Sequence, residues 1–236
     1  MPSSLTRAPF DLDLGPAVVC AGFEVVNHEA IVTALGELQA EGLPLRAVAK
    51  RRAEFLAGRF AARTALSALG VESMPGRNED GSPRWPAQIS GSITHGAERA
   101  FCAVARQSDV RSLGIDVERL MGPETKAELA ARICNAAELE ILADGLDAPE
   151  HHLVSLVFSA KESLYKCLYP LVGRYMDFGA ARVVAVEPRG DESRLAGELT
   201  LALSVDWSAE LPRGRQLRAQ FVASERHVQS AVLLRA

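Results

Sequence analysis

Between Met74 and Pro86 the chain carries Pro75, Gly76, Gly81, Pro83 and Pro86. Proline removes a backbone donor and clashes inside a helix, and glycine weakens both kinds of regular structure, so no long element can run through this stretch. The fold must therefore be assembled from elements on either side of it. Upstream, Leu45–Leu69 keeps a helical pattern and stops at Gly70, the residue best suited to the left-handed turn past a helix end. Ahead of that helix, Ala17–Val26 reads as a strand and Ile31–Ala40 as a short helix. Downstream, Gln88–Thr94, Ala100–Arg106 and Leu113–Val117 read as short strands, Glu124–Ala143 as a helical region, and Glu150–Tyr169 as a helix stopped by Pro170. The tail Ala181–Leu234 contains Arg182–Val186, Leu199–Leu203 and Leu217–Phe221, the β-rich runs of an antiparallel meander. The sum is an α+β chain with helices and strands in both halves, dividing near Ser108–Ser112.

The 236 residues can bury one large core or two small packed ones. An apolar share of 48% excludes disorder and collagen-like repetition. Twenty-six Lys and Arg against 30 Asp and Glu leave a net charge of −4, which speaks against a nucleic-acid binder working by bulk positive charge. Cys20, Cys102, Cys134 and Cys167 form no CxxC pair and have no histidine at zinc-finger spacing, so they read as reduced, mostly buried thiols. Met1–Pro16 lacks the basic start and apolar run of a secretion signal, and no later stretch is long enough to span a bilayer. The expectation is a cytoplasmic protein with no membrane span.

Gly114-Ile115-Asp116-Val117-Glu118 alternates apolar with acidic residues. Positions two apart in a strand share a face, so the carboxylates of Asp116 and Glu118 project together while Ile115 and Val117 face the core. Two carboxylates so placed repel unless a cation stands between them, and Mg2+ suits oxygen ligands and substrate phosphates. A solvated strand face with two acids is the plainer alternative. A third acid lies in Phe158-Ser159-Ala160-Lys161-Glu162-Ser163-Leu164-Tyr165-Lys166, after the apolar run Leu153–Phe158 that marks a helix buried around most of its circumference. Glu162 and Lys166 share a helical face, and a carboxylate there needs either a metal ion or the lysine as partner. As a surface pair the two would contribute only about 0.3 kcal/mol.

In Lys50–Arg63, steps of seven and eleven residues return to nearly one side of a helix, so Arg52, Arg59 and Arg63 form a stripe with Arg51 offset from it. Rows of guanidinium groups grip phosphate oxygens, although a solvated basic face accounts for most arginine clusters. Ser90-Gly91-Ser92-Ile93-Thr94-His95-Gly96 ends a strand in hydroxyls and an imidazole, with Ser92, Thr94 and His95 able to donate to a phosphate; a structural turn is the alternative.

The order of these motifs, arginine helix, Trp85-Pro86, Gly91–His95, Gly114–Glu118 and Phe158–Lys166, resembles the 4′-phosphopantetheinyl transferases, in the subtype associated with enterobactin synthetase and related siderophore systems. The similarity runs from about Arg46 to Pro170, roughly half the chain, and the last two motifs are the most specific. The resemblance implies a pseudo-dimer of two similar α/β lobes with the active site in the cleft between them. Residues 1–110 would form the lobe with the coenzyme A-binding arginine helix, and residues 111–236 the metal-binding and catalytic lobe. It also implies Mg2+-dependent transfer of the phosphopantetheine arm of coenzyme A to a serine of an apo acyl or peptidyl carrier protein, with release of adenosine 3′,5′-bisphosphate. Siderophore, nonribosomal peptide, polyketide and fatty-acid synthesis all use such carriers.

By the same resemblance Asp116, Glu118 and Glu162 match metal ligands for Mg2+ or Mn2+, and Lys166 matches a catalytic lysine. Arg51 or Arg52, Arg59, Thr94 and His95 fall where the family contacts the adenosine and phosphates of coenzyme A, with Ser92, Asp116 and Lys166 alongside. Family spacing favours Arg51 and the helical stripe favours Arg52. Gly81-Ser82-Pro83-Arg84 departs from the lysine that many members place before a proline, leaving Arg84 as its substitute. In the chemistry that follows, Glu162 takes the serine proton, Lys166 stabilises charge on the transferring phosphate, and Arg174 with Lys166 steers an acidic carrier. Two fused lobes make a monomer the expected state. A Mg2+-dependent nucleotide phosphohydrolase and a non-catalytic coenzyme A-binding module are the competing readings of the same residues.

Overall fold

Among the described residues two larger antiparallel sheets each carry a long helix, and a two-stranded ribbon makes a third sheet. The computed structural model describes residues 5–38, 40–125, 127–189 and 195–236. Met1–Ser4, part of the expected leaderless start, lie outside the described residues, as do Gln39 and Lys126 within two expected helical stretches. The elements are β1 (Val19–Glu24), α1 (His28–Leu35), α2 (Ala49–Ala68), β2 (Gly76–Arg77), β3 (Pro83–Arg84), β4 (Ile89–Gly96), β5 (Arg99–Arg106), β6 (Val110–Arg119), α3 (Ala127–Ile133), α4 (Ala136–Gly145), α5 (Glu150–Val172), β7 (Ala181–Pro188), β8 (Ala196–Leu203), β9 (Gln216–Ala223) and β10 (His227–Arg235).

The first sheet has the order β1-β5-β4. Helix α2 packs on it through Ala53, Leu56, Ala57, Phe60 and Ala61, spaced three and four apart so that they share one face. The alanines let the helix lie close, and Phe60 meets Phe23 of β1 with ring centroids 5.0 Å apart. After the turn at Gln107–Asp109 the chain enters the second sheet, order β6-β10-β9-β8-β7. Helix α5 covers that sheet with Leu156, Leu164 and Leu168, packed among Leu201, Phe221 and Val228. A third apolar cluster lies where the lobes meet, with Phe101 and Ala103 of β5 against Ile115 and Val117 of β6. The expected α+β architecture of two helix-on-sheet lobes is present.

Strand β6 pairs along one edge with β10 only, in register Gly114 to Val232. Its other edge is met by the side chains of β4. Ser90 Oγ donates to the Val110 carbonyl at 2.7 Å, Ser92 Oγ accepts from the Ile115 N–H at 3.1 Å, and Thr94 Oγ1 accepts from the Val117 N–H at 3.3 Å. Three alternate residues of one strand thus hydrogen-bond the backbone of another, which no ladder between the two sheets satisfies.

Three expectations about helices change. The stretch Glu124–Ala143 is not one helix, because Asn135 caps α4: its side chain accepts from the Glu138 N–H at 3.1 Å while Glu138 Oε2 accepts from the Asn135 N–H at 3.0 Å. Pro170 does not stop α5. It sits in the last turn, where its fixed φ is helical and the only bond it forgoes is to the Lys166 carbonyl, and the helix runs on to Gly173 at φ 63°. The short helix also starts earlier than expected, at His28, because Asn27 accepts from the Ala30 N–H.

Gly114 sets the distance between α5 and β6. A Cβ at that position would lie 2.0 Å from the Ser163 carbonyl oxygen and 2.5 Å from the Cys167 nitrogen, both helix backbone. Replacing it by alanine must push the whole helix outward, so Gly114→Ala is expected to lower stability by about 3 kcal/mol in urea unfolding. A loss below about 0.5 kcal/mol would show that α5 can back away freely.

Candidate active site

The close seat of α5 on β6 decides which side chains meet. Asp116, one residue in from the Ile115 and Val117 core positions, points at the helix and is 1% exposed. Its Oδ1 accepts from Lys166 Nζ at 2.6 Å and from Thr94 Oγ1 at 3.0 Å. Lys166 Nζ also donates to Thr94 Oγ1 at 3.1 Å and to the Ile115 carbonyl at 3.3 Å. Lys166 therefore pairs across the helix–strand interface with Asp116, rather than along its own helix with Glu162.

The second oxygen of Asp116, Oδ2, is buried with no hydrogen-bond partner. Glu118 and Glu162 stand in the same field. Burial, then the Asp116 and Glu162 charges, push the Glu118 carboxyl up to about 7 against the pull of Lys166. Burial also raises Glu162, Lys166 opposes the rise, and Asp116 adds to it. Three mutually repelling carboxyls around one orphaned oxygen are a donor set that a hard cation fits. Among the described residues, however, no three His, Cys, Asp or Glu side chains converge closely enough to hold an ion. The expected triad is thus an electrostatic neighbourhood and not a closed cage, with Lys166 holding the inner oxygen of Asp116.

The arginine helix presents a face different from the expected stripe. Arg51, Phe55 and Arg59, four residues apart, line one cavity of about 220 Å3 together with Arg77, Pro83 and His95. Arg51 Nη1 lies 3.0 Å from His95 Nε2, and burial followed by the Arg51 charge lowers the His95 pKa. Arg52 does not line this cavity, and its Nε is buried without a partner. Arg59 lines it but is 3% exposed, with Nη1 donating to the Pro75 and Gly76 carbonyls at 2.8 Å each. Its first task is to tie the Pro- and Gly-rich loop to α2. Ser92 and Thr94, expected among the phosphate contacts, are buried and bonded into the lobe junction. Arg84 is exposed and pairs with Glu41 at 2.9 Å. Arg174 is exposed, stacks on Trp207 at 4.6 Å and donates to the Asp206 carbonyl.

A larger cavity of about 890 Å3 lies between the loop Asn78–Gln88 and the end of α5, with Lys166, Tyr165 and Tyr169 on the helix wall and Trp85, Pro86 and Arg84 on the loop wall. Tyr169 donates to Asp80 across its mouth. The sequence reading missed Arg77, Tyr165 and Tyr169. The tyrosines carried a signal, since Glu162, Tyr165, Lys166 and Tyr169 are spaced i, i+3, i+4, i+7 and share a helix face. Arg77 carried none, because a two-residue strand is too short to show a period.

Family comparisons match both halves of the chain. The 4′-phosphopantetheinyl transferase N-terminal domain matches residues 39–105, and the 4′-phosphopantetheinyl transferase superfamily matches residues 112–222. Enterobactin synthase component D of Salmonella typhimurium is 40% identical over 137 residues, covering 58% of this chain and 56% of that protein. The 4′-phosphopantetheinyl transferase Svp of Streptomyces mobaraensis is 45% identical over 148 residues, covering 61% and 58%. The 4′-phosphopantetheinyl transferase PptT of Mycobacterium tuberculosis is 34% identical over 192 residues, covering 74% and 80%. The match thus spans a little over half the length of the first two relatives and most of the third.

The two arginines of the small cavity are expected to separate by their partners. Arg59→Ala leaves two carbonyls without their charged donor and should cost about 3 kcal/mol in urea unfolding, while the exposed Arg51→Ala should cost less than about 0.5 kcal/mol. Equal losses would mean that Arg59 is not what holds the loop.

Proposed function

Because the chain belongs to the 4′-phosphopantetheinyl transferase superfamily, we propose that it moves the phosphopantetheine arm of coenzyme A onto a serine of an apo acyl or peptidyl carrier protein and releases adenosine 3′,5′-bisphosphate. The observation that carries this reading is the grouping at Asp116: a lysine on one carboxylate oxygen, an orphaned second oxygen, and Glu118 and Glu162 in the same field. The similarity to enterobactin synthase component D favours carriers of siderophore and nonribosomal peptide synthesis. Fatty-acid carriers are the second class to test. The division into residues 1–110 and 111–236 belongs to the same reading, as does a monomer working in the cytoplasm; among the described residues no helix is long and apolar enough to cross a membrane.

Transfer from a diphosphate is chiefly a matter of positioning and of neutralising charge. The serine Oγ bonds to the phosphorus that bears the pantetheine arm, and the bond from that phosphorus to the bridging oxygen breaks. The oxygen leaves on adenosine 3′,5′-bisphosphate. Glu162 takes the serine proton; its raised pKa suits a group that must hold a proton and then give it up. Lys166 faces the phosphates, and its longest bond, 3.3 Å to the Ile115 carbonyl, is the one a phosphate oxygen would replace. Arg51, with His95 beside it, grips the phosphates of the nucleotide end, and Arg59 holds the loop that walls the same cavity. Asp116 would be the first to hold Mg2+ or Mn2+, through Oδ2, with Glu118 and Glu162 having to draw closer to complete the set, and the ion supplies Lewis-acid polarisation of the diphosphate when bound.

Incubation with coenzyme A, Mg2+ and a panel of apo carriers, read by intact mass, tests the reading. Gain of the phosphopantetheine mass is expected, whereas a phosphohydrolase would consume a nucleotide and leave the carriers unchanged. Glu162→Gln is expected to lower kcat about a hundredfold or more with coenzyme A binding retained, and Arg51→Ala to raise the KM for coenzyme A with little change in kcat. Normal turnover by the glutamine variant would remove Glu162 as the base.

The Glu118 shift has its own consequence. With its pKa pushed up to about 7, Glu118 is partly protonated at neutral pH, and an ion binding there must displace the proton. Calorimetric Mg2+ titrations in buffers of different ionisation enthalpy should show more proton release at about pH 6 than at about pH 8.5, where Glu118 is already ionised. No proton release at the lower pH would take Glu118 out of the ligand set.

A further inference from the structure

One turn away from Lys166, the residue beside Glu162 makes a second and quite different ion pair. Lys161 and Glu138 face each other with Nζ to Oε1 at 2.8 Å, their side chains 4% and 3% exposed. All three ammonium protons have acceptors, since Nζ also donates to the Ile133 and Phe178 carbonyls at 2.9 Å each. Glu138 is equally complete: Oε1 accepts from the Val183 N–H at 3.0 Å and Oε2 from the Asn135 N–H at 3.0 Å. The pair therefore joins the end of α3, the start of α4, the body of α5, the turn Phe178–Ala180 and β7 at one buried point.

Taking two charges out of water is costly, and an apolar pair of similar size commonly serves stability as well or better. What an apolar pair cannot do is hold two carbonyls at fixed distances. One of them belongs to Phe178, and the turn carrying it walls a small recess lined by Glu162, Tyr165, Met176 and Asp177. We infer that Lys161 is a positioning residue: its ammonium, neutralised by Glu138, fixes the Met176–Ala180 turn against α5 and so sets the wall that faces Glu162. The inference rests on the proposed role of Glu162 for its catalytic consequence, but its geometric content stands apart from that role. A shift of the wall by about an ångström would misalign the attacking hydroxyl by enough to cost ten- to a hundredfold in rate.

Three variants of the full chain separate positioning from bulk stability. Lys161→Met removes both carbonyl anchors and strands the Glu138 charge. Lys161→Met with Glu138→Gln removes the anchors but leaves no buried charge, while the glutamine Oε1 can still accept from one of the two backbone N–H groups that Glu138 serves. Glu138→Gln alone keeps the lysine and its two carbonyls. Hydrogen exchange of Met176–Ala180 is measured in each, with Tm and, against apo carrier, kcat and the KM for coenzyme A. The expected result is faster exchange in both Lys161 variants and wild-type exchange in Glu138→Gln, with kcat down at least tenfold in the first two, within about threefold in the third, and KM within about twofold throughout. The double variant should recover Tm relative to Lys161→Met without recovering kcat.

Recovery of kcat together with Tm in the double variant would make the pair merely structural and overturn the inference, as would wild-type exchange in Lys161→Met. Failure of both Lys161 variants to fold would reassign the pair to folding and overturn it too. Should the wild-type chain transfer nothing to any carrier, the proposed function fails, while the exchange data still decide whether Lys161 holds the turn.

Discussion

The molecule depends on how the free edge of β6 is satisfied. A strand edge with unpaired N–H and C=O groups cannot be buried without cost, and among the described residues β6 has only β10 paired beside it. Strand β4 could have continued the ladder and fused the two sheets into one. Instead it presents hydroxyls at Ser90, Ser92 and Thr94, each at hydrogen-bonding distance from the β6 backbone. Side-chain bonds hold the strands farther apart than a ladder would, so the lobes remain distinct sheets joined along a polar seam. At the upper end of that seam Gly96 admits the Val117 carbonyl, which a Cβ would meet at 2.4 Å. The Asp116 cluster lies at this place because Thr94 is both a rung of the seam and a donor to Asp116.

The same geometry explains why a charged site forms inside packed structure. Asp116 sits on β6 between core residues, and nothing apolar on α5 could satisfy it. Gly114 brings the helix close enough for Lys166 to reach Oδ1, and Thr94 supplies the neighbouring hydroxyl, so one oxygen is fully bonded and the other is not. Burial raises the Glu118 and Glu162 carboxyls, and the Asp116 charge adds to the rise against the pull of Lys166, so both hold protons more tightly. Carboxyls whose proton affinity is raised by burial and by one another are the kind of group that concentrates at functional sites.

Much of this was legible from residue order. The period-two run Gly114–Glu118 placed Ile115 and Val117 in the core and their acidic neighbours on the other face, and the apolar run Leu153–Phe158 marked α5 as a buried helix. What escaped were effects that only contact reveals. The helical stripe pointed to Arg52, yet Arg51 faces His95, because the side of α2 that meets the cavity is set by alanines packing on the sheet. Arg59 looked like a phosphate ligand because its spacing says nothing of the loop carbonyls it reaches. Ser92 and Thr94 were read as donors to a ligand, since a hydroxyl in a strand gives no sign that another strand's edge will claim it. The split between α3 and α4 was written in Asn135 and Glu138, a capping box overlooked within a strongly helical pattern.

Helix α5 carries two lysines five residues apart, and they show what distinguishes a working ion pair from a structural one. Lys166 is a quarter exposed and bonded to a carboxylate whose other oxygen is buried without a partner, so the lysine side of the pair is open to solvent while the carboxylate is not. Lys161 and Glu138 are sealed and complete, and any exchange would leave a buried group unpaired at a cost of several kcal/mol, on the order of 3–5. Sequence alone does not separate the two, since both are lysines in one motif beside the same glutamate. The separation comes from the rotation between them, about 140° for five residues of an α-helix, which sends one ammonium into the lobe junction and the other into the core of the second lobe. One helix can thus be anchored by a sealed ion pair on one face and carry a part-exposed one on another.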